Sequence, residues 1–357
     1  MRNQEINPED EKYMRRCIEL ALNGRCNVSP NPMVGAVIVC DGHIIGEGYH
    51  VRCGQPHAEV NAIRSVRDVS LLKRSTIYVS LEPCSHYGKT PPCADLLIEK
   101  GIPRIVVGCQ DPFPQVAGRG IRKLREAGRE VVVGVLEEEC RALNRRFITF
   151  HTQRRPYITL KWAESADGFI DRGRTGGQPV VLSTPLTAML THKRRTENDA
   201  IMVGTRTALL DNPSLTVRHW YGHQPLRVVT DRNLLLPPQL QLFDGSAPTL
   251  VFTERERPSS ENLTYLPLDY SRQPLPQMME ALYERKVQSL LVEGGSRLLQ
   301  SFIDSGLWDE IYVEQSPLRL WAGVAAPTVN VAFAWQVEKY FGRTYKKWLR
   351  EKVGRNS

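Results

Sequence analysis

Apolar positions along the first 144 residues alternate between helical and strand spacing. The predicted helices are residues 7–24, one that begins at His57, one that begins at Cys93, and 121–127. The predicted strands are residues 34–40, one that begins at Ile44, 76–81, 104–109 and 130–135. Between the first two strands, Asp41-Gly42 is typical of a two-residue β-hairpin turn. This order predicts an α/β domain whose helices pack on a central sheet.

A second alternating series begins after the pattern breaks at residues 148–156. Its predicted strands are residues 157–163, 200–203, 227–231, 249–252 and 289–292, and its predicted helices are 185–197, 277–284 and 296–305. The last thirty residues, rich in Lys, Arg and aromatic side chains, are expected to form a helical tail. We therefore predict two α/β domains, residues 1–147 and 148–357, the second with a divergent C-terminal tail.

Composition narrows the class of protein. Of 357 residues, 41% are hydrophobic and 24% charged, as in a packed globular protein. No apolar run reaches the roughly 18 residues of a membrane span, and the N-terminal residues lack the apolar segment of a secretory signal. We therefore expect a cytoplasmic protein whose eight cysteines are reduced thiols or metal ligands. The net charge of +8 permits nucleic-acid binding but also suits a phosphorylated small substrate.

Four residues of the first domain have the side chains and spacing of a zinc-dependent deaminase. Catalytic zinc favours nitrogen and sulfur ligands and keeps its fourth position for water, and His57, Cys84 and Cys93 supply three such ligands. Glu59, two residues after the histidine, is then free to exchange protons with the bound water. A metal-activated hydroxide that attacks a ring carbon, with a glutamate moving protons to ammonia, is typical of zinc deaminases. The alternative is ordinary core thiols and a surface imidazole.

A second candidate site follows an apolar strand, at Gly294-Gly295, where the next helix begins. Glycines and the free N–H groups of a helix N-terminus let a phosphate approach the backbone; the alternative is a tight turn without a ligand. Ligands of open α/β sheets gather at the carboxyl ends of strands, which groups this turn with residues 205–218 and Lys161. For Arg195 and Arg218 the alternative is solvated surface charge.

Three stretches of the first half resemble the bacterial bifunctional riboflavin-biosynthesis (RibD) family. They are NPMVGA at 31–36, HAEV at 57–60 and LEPCSHYGKTPPC at 81–93. Eight residues separate the two cysteines of the last stretch, whereas cytidine and tRNA adenosine deaminases have the short Cys-x-x-Cys spacing. The resemblance implies two steps: deamination of 2,5-diamino-6-(5-phosphoribosylamino)pyrimidin-4-one, then reduction of its ribosyl group to ribityl by NADPH.

For the first step, the resemblance implies a cytidine-deaminase-like α/β/α domain. Zn²⁺ would be held by His57, Cys84 and Cys93, and Glu59 would be the proton shuttle. The residues implied to contact the substrate are Asn31 at the pyrimidine, and His86 and Lys89 near the ribose phosphate.

For the second step, residues 165–168, 211–218 and 292–295 resemble the family's reductase domain, which has a dihydrofolate-reductase-like α/β fold. The residues implied to bind NADPH are Glu164, Thr207, Asp211, Gly294 and Gly295. The residues implied to bind the reductase substrate are Arg195, Leu215, Arg218 and Glu293. Whether Asp211 or Glu293 assists protonation is left open.

The chain departs from the family pattern at four places. Phe113 stands where many relatives have Asn, and residues 178–181 lack the Trp often found there. Arg232 stands where relatives often have Ser, and either the cofactor 2′-phosphate or solvent could surround it. The tail after residue 327 does not match the usual C-terminal strand.

The leading interpretation is a bifunctional hydrolase and NADP-dependent oxidoreductase with Zn²⁺ and NADPH. It would act on a small phosphorylated pyrimidine as a homo-oligomer, without a nucleic-acid or membrane partner. One alternative is a nucleic-acid base deaminase, which the net charge of +8 favours and the long gap between Cys84 and Cys93 disfavours. The other is a second domain that binds its ligand without reducing it and acts in oligomerisation.

Overall fold

Helices and strands alternate through two units, Met1–Arg154 and Arg155–Ser357. In this computed structural model the described residues are 7–85, 87, 91–113, 117–330 and 335–350. Both units are α/β, which confirms the predicted fold class. The boundary predicted after residue 147 lies within a helix, shortly before the division between the units.

The first unit is a five-stranded sheet covered by helices. Its helices are α1 (Pro8–Leu22), α2 (Ala58–Ser65), α3 (Cys93–Glu99), α4 (Arg119–Glu126), α5 (Glu137–Leu143) and α6 (Arg145–Gln153). Its strands are β1 (Gly35–Cys40), β2 (His43–Tyr49), β3 (Thr76–Leu81), β4 (Arg104–Cys109) and β5 (Glu130–Val133), in the order β2-β1-β3-β4-β5. Strands β3, β4 and β5 are parallel, so their carboxyl ends share one edge of the sheet.

The apolar residues of β1, β3 and β4 form the core of the first unit. Val37, Ile38, Ile77 and Val107 are fully buried, because both faces of the sheet are covered. At the start of α1, the Asn7 side chain caps the helix by accepting the N–H of Glu9 at 3.0 Å. The segment after residue 147, interpreted from sequence as a break in the pattern, belongs to α6.

The second unit is built on a nine-stranded sheet. Its helices are α7 (Pro185–Thr196), α8 (Thr205–Asp211), α9 (Pro274–Glu284) and α10 (Ser296–Asp304). Its strands are β6 (Tyr157–Glu164), β7 (Phe169–Asp171), β8 (Ala200–Val203), β9 (Leu226–Thr230), β10 (Thr249–Thr253), β11 (Leu263–Pro267), β12 (Ser289–Gly294), β13 (Glu310–Gln315), β14 (Val324–Ala325), β15 (Gln336–Tyr340) and β16 (Arg343–Leu349). The sheet order is β11-β10-β9-β8-β12-β6-β13-β16-β15, parallel from β11 to β13.

The prediction of a helical tail is wrong for the part of the tail that the structure describes. Residues 336–349 form β15 and β16, and β16 pairs antiparallel with β13. Tyr345 and Trp348 on β16 are buried, so the strand contributes to the core of the second unit. These two strands form one edge of the nine-stranded sheet.

Among the described residues, no helix combines the length and the apolar character that crossing a membrane requires.

Candidate functional site

The three predicted zinc ligands lie together at the ends of three elements. His57 is the N-cap residue of α2, Cys84 follows β3, and Cys93 is the first residue of α3. Their ligand atoms all lie within 4.8 Å of one another. The Nδ1 atom of His57 is 3.5 Å from the Cys84 Sγ and 3.4 Å from the Cys93 Sγ.

This donor set fits a zinc ion. Bonds of about 2.0–2.1 Å to nitrogen and about 2.3 Å to sulfur in a tetrahedron separate the two ligand atoms by about 3.5 Å. The two His57–Cys distances match that spacing. Three protein ligands leave a fourth position for water or substrate, as catalytic zinc sites require.

The surroundings of the two thiols shift their pKa values in opposite directions. Hydrogen bonds from the Cys93 thiol, from His57 and from the Cys93 backbone N–H lower the pKa of the Cys84 thiol to about 4, against the effect of burial. A lowered pKa favours the thiolate, which is the form of cysteine that binds a metal ion. The hydrogen bond with the Cys84 sulfur, together with burial, raises the pKa of the Cys93 thiol, and a cation between the two sulfurs would reverse this effect.

Glu59, on the first turn of α2, is buried next to these ligands with 3% of its surface exposed. Burial, together with the charge on Cys84, raises the pKa of Glu59 to about 7. A carboxyl group with that pKa can both accept and release a proton near neutral pH, which is the property that a proton shuttle needs.

Asn31 lies close to the metal ligands through a histidine that the sequence did not single out. The Asn31 side-chain amide donates to Nε2 of His50 at 3.1 Å, and Nδ1 of His50 donates to the Pro56 carbonyl at 3.1 Å. His50 is buried, which lowers its pKa, and its ring lies edge-on to His57 with 5.5 Å between ring centres. The pairing of β2 with β1 brings the segment of His50 next to the segment of Asn31. Sequence periodicity alone could not indicate this contact.

The other two predicted contacts of the deaminase substrate, His86 and Lys89, lie outside the described residues. Phe113 is described, and its ring lies 5.1 Å from the His151 ring, centre to centre.

Three predicted reductase residues follow or end the adjacent parallel strands β8, β12 and β6. Thr207 lies on the helix after β8, Gly294 ends β12 and Glu164 ends β6. The Gly204 N–H, at the start of α8, donates to the Gly294 carbonyl at 3.0 Å. A Cβ atom on Gly295 would lie only 2.9 Å from the Thr207 hydroxyl, so glycine permits this approach. The turn therefore places the N-terminus of α10 beside α8, where free N–H groups can bind a phosphate.

Glu293 and Arg195 form a two-point ion pair at this edge, with distances of 3.1 and 2.7 Å. Arg195 also donates to the Thr216 carbonyl at 3.1 Å. Burial would raise the pKa of Glu293, but Arg195 and the nearby Lys161 hold it below its ordinary value. Burial lowers the pKa of Lys161, which the sequence had placed only near a strand end.

Leu215 and Arg218 lie in the segment between α8 and β9. Arg218 donates its backbone N–H to Nδ1 of His192 at 3.1 Å and a guanidinium N–H to Ser214 at 2.7 Å. The Leu215 side chain is buried in the core with a left-handed backbone (φ 53°), so its main chain is the part that can face a ligand.

Asp211 and Glu164 are each held by neighbours. Arg174, in the glycine-containing segment 171–177 after β7, pairs with Asp211 and with Asp171. Burial raises the pKa of Asp211 despite this arginine. Glu164, the last residue of β6, accepts the Trp162 indole N–H at 3.0 Å.

Arg232 pairs with Glu254 at 2.8 Å on the surface.

Two family models match the chain. The cytidine and deoxycytidylate deaminase zinc-binding region matches residues 7–109. The RibD C-terminal domain matches residues 156–329. Each model covers a different unit of the structure.

Curated relatives and solved structures match most of the chain. The riboflavin biosynthesis protein RibD of Aquifex aeolicus is 40% identical over 90% of this chain and 91% of its own length. The protein of that name from Escherichia coli is 37% identical over 87% of this chain and 88% of its own. A crystal structure of a diaminohydroxyphosphoribosylaminopyrimidine deaminase/5-amino-6-(5-phosphoribosylamino)uracil reductase from Thermotoga maritima has a TM-score of 0.85 and 39% identity, covering 95% of this chain and 98% of its own. The structure of Acinetobacter baumannii RibD has a TM-score of 0.85 and 31% identity, and the match covers 96% of this chain and 99% of that chain.

Proposed function

The chain belongs to the RibD family of riboflavin-biosynthesis proteins, and we propose that its two units catalyse that family's two consecutive steps. The first is zinc-dependent hydrolytic deamination of 2,5-diamino-6-(5-phosphoribosylamino)pyrimidin-4-one. The second is reduction of the ribosyl group to ribityl by NADPH. The observation that carries the proposal is the group of three zinc-type ligand atoms within 4.8 Å, beside a buried glutamate.

In the first step, His57, Cys84 and Cys93 would hold the zinc ion, which supplies Lewis-acid activation of water. Glu59 accepts a proton from the attacking water and delivers one to the departing amine, so that ammonia leaves and a carbonyl oxygen remains. Asn31 orients the pyrimidine, and the contact with His50 fixes the direction of its amide group. Lys89 and His86 would meet the ribose phosphate, as the family pattern implies.

In the second step, NADPH supplies a hydride to the sugar carbon, and the protein mainly aligns the two. Glu164, Thr207, Asp211 and the Gly294-Gly295 turn would bind the cofactor. Arg195, Arg218, Glu293 and the main chain of Leu215 would bind the phosphorylated substrate.

Glu293 is better suited to positioning than to proton donation, because its pKa lies below the ordinary value and it would be ionised at neutral pH. Burial raises the pKa of Asp211, while its ion pair with Arg174 acts in the opposite direction. The ammonium group of Lys161 lies near Glu293 and can donate a proton.

We also propose a phosphorylated small-molecule substrate rather than a nucleic acid, in a cytoplasmic homo-oligomer. The support for the substrate class is the similarity of both units to RibD proteins, which cover 90% of this chain. RNA binding that weakens with salt, together with deamination of an RNA base, would contradict this proposal.

The test follows ammonia release and NADPH absorbance together in full-length, zinc-loaded protein. We expect Glu59→Gln to slow ammonia release by about 10²- to 10⁴-fold, because proton transfer of this kind contributes that much. The variant should still oxidise NADPH when the deaminated aminouracil phosphate is supplied.

The matched control is Glu99→Gln, which alters an exposed carboxylate paired with Lys100. It should leave both activities unchanged. Unchanged ammonia release by a folded, zinc-loaded Glu59→Gln protein would exclude the shuttle, and absence of NADPH oxidation with every substrate would exclude the second step.

A further inference from the structure

We propose that Glu82 is a positioning residue for the zinc site, because its carboxylate ties the segment that carries Cys84 to the first turn of α4. The inference rests on the proposed function. Glu82 is the residue directly after β3, two positions before the metal ligand, and 4% of its surface is exposed.

Four backbone N–H groups converge on this one carboxylate. One oxygen accepts from Gly120 at 2.9 Å and from Ile121 at 3.2 Å. The other accepts from Gly118 at 2.9 Å and from Asp111 at 3.2 Å. Three of the donors belong to the start of α4, and the fourth follows β4.

The helix itself supplies no cap that could replace these bonds. Its N-cap residue is Gly118, which has no side chain, so the N–H groups of the first turn need an outside acceptor. A carboxylate at a helix N-terminus also interacts favourably with the helix dipole. Glu82 therefore fixes the position of α4 relative to the end of β3.

The contact extends through Pro83 toward the metal ligand. A Cβ atom on Gly120 would lie 2.1 Å from the Pro83 carbonyl oxygen, which shows how closely α4 approaches this residue. The proline ring restricts the backbone between Glu82 and Cys84, so a shift of the carboxylate moves the sulfur.

On its other side, Cys84 is held by α3. Its sulfur accepts the Cys93 N–H at 3.3 Å, and its carbonyl accepts the Ala94 N–H at 3.1 Å. The segment from Glu82 to Cys84 is thus anchored at two helix N-termini, by the Glu82 carboxylate at α4 and by Cys84 itself at α3.

Glutamine cannot replace Glu82 at this position. Its amide offers one acceptor oxygen, and its NH₂ group would face two of the four N–H donors. Two backbone groups would lose their partner while buried, which strains the arrangement without removing any metal ligand.

The test uses full-length Glu82→Gln, with Glu99→Gln as the exposed control. We expect the zinc affinity to fall about 10- to 100-fold, as for other residues that support metal ligands, so that zinc release to a chromophoric chelator becomes faster. In Co²⁺-substituted protein, the absorption bands of the cobalt–thiolate site should shift. Ammonia release should fall, while reduction of the supplied aminouracil phosphate by NADPH stays at the level of the unmodified protein.

A purely structural cap predicts a different result. It would lower the free energy of unfolding and leave the zinc release rate and the cobalt spectrum unchanged, and that outcome overturns the proposal. If Glu82→Gln does not fold, Glu82→Asp decides, since it keeps both oxygens on a shorter side chain. Faster zinc release then supports the proposal, and an unchanged rate overturns it. The zinc and cobalt measurements need no substrate, so they stand apart from failure of either enzymatic step.

Discussion

Asp10 shows how one buried carboxylate joins three elements of the deaminase unit, α1, β3 and β4. It lies on α1, and both oxygens accept from the Arg104 guanidinium on β4, at 2.9 and 2.8 Å. The Tyr78 hydroxyl donates to it at 2.9 Å. Burial would raise the pKa of Asp10, but these bonds outweigh that effect and hold the pKa below its ordinary value.

We expect Asp10→Asn to lower the free energy of unfolding by about 2 kcal/mol at pH 7, because hydrogen bonds to a charged group contribute about 1.5–3 kcal/mol. A carboxyl group whose pKa is lowered by folding stabilises the protein above the pKa of the unfolded state, about 4. The difference between the two proteins should therefore shrink as the pH falls below about 4. Urea unfolding of both proteins at pH 7 and pH 3 measures this difference in the free energy of unfolding.

Glu130→Gln is the matched control, since Glu130 pairs with the same Arg104 but is exposed. A surface pair contributes about 0–1 kcal/mol, so this variant should change stability little at either pH. Equal stability of Asp10→Asn and the unmodified protein at pH 7 would contradict the role given to Asp10.

At the scale of elements, Asn144 connects the junction of α5 and α6 to the segment that carries Asn31. It is buried, accepts the Met33 N–H at 2.8 Å and donates to the Met33 carbonyl at 2.8 Å. The two bonds fix the peptide that follows Asn31-Pro32, which in the proposed function contacts the pyrimidine.

We expect Asn144→Ala to raise the KM of the deaminase about 10-fold, since two neutral hydrogen bonds contribute about 1–3 kcal/mol and 1.4 kcal/mol corresponds to a tenfold change. Zinc content and NADPH oxidation should stay unchanged. Asn23→Ala is the control, because Asn23 is exposed and bonds only within its own helix end. An unchanged KM in folded Asn144→Ala would show that Asn144 does not position this segment.

The elements also show which features a sequence can reveal. The ligands His57, Cys84 and Cys93 were predictable because residue type and spacing identify a zinc motif. The contacts of Glu82, His50 and Asn144 were not, since each joins segments that only the folded sheet brings together.

The C-terminal hairpin was missed for a related reason. Strand β13 was not identified from sequence, so β16 had no predicted partner. The buried residues of β16, Tyr345 and Trp348, are three positions apart, a spacing that does not indicate a strand. A strand at that position is stabilised by pairing with its neighbour, a long-range effect that local propensity does not contain.

At the scale of the whole molecule, two units with separate cores carry the two proposed activities. Trp348 belongs to the core of the second unit, where its ring lies 4.4 Å from that of Trp308, centre to centre. The buried apolar residues around the zinc ligands belong to the first unit. A defect in one core should therefore lower the stability of one unit first.

We expect Trp348→Ala to destabilise the second unit by about 3–5 kcal/mol, the range for removing a large buried aromatic side chain. In the variant, the second unit should unfold at a lower temperature than the first. After heating to a temperature between these two unfolding transitions, the variant should lose NADPH oxidation with supplied aminouracil phosphate and keep ammonia release. Trp321→Ala is the control for stability, because 78% of Trp321 is exposed. Simultaneous loss of both activities in Trp348→Ala would mean that the units unfold as one cooperative body, so that the reductase core also supports the zinc site.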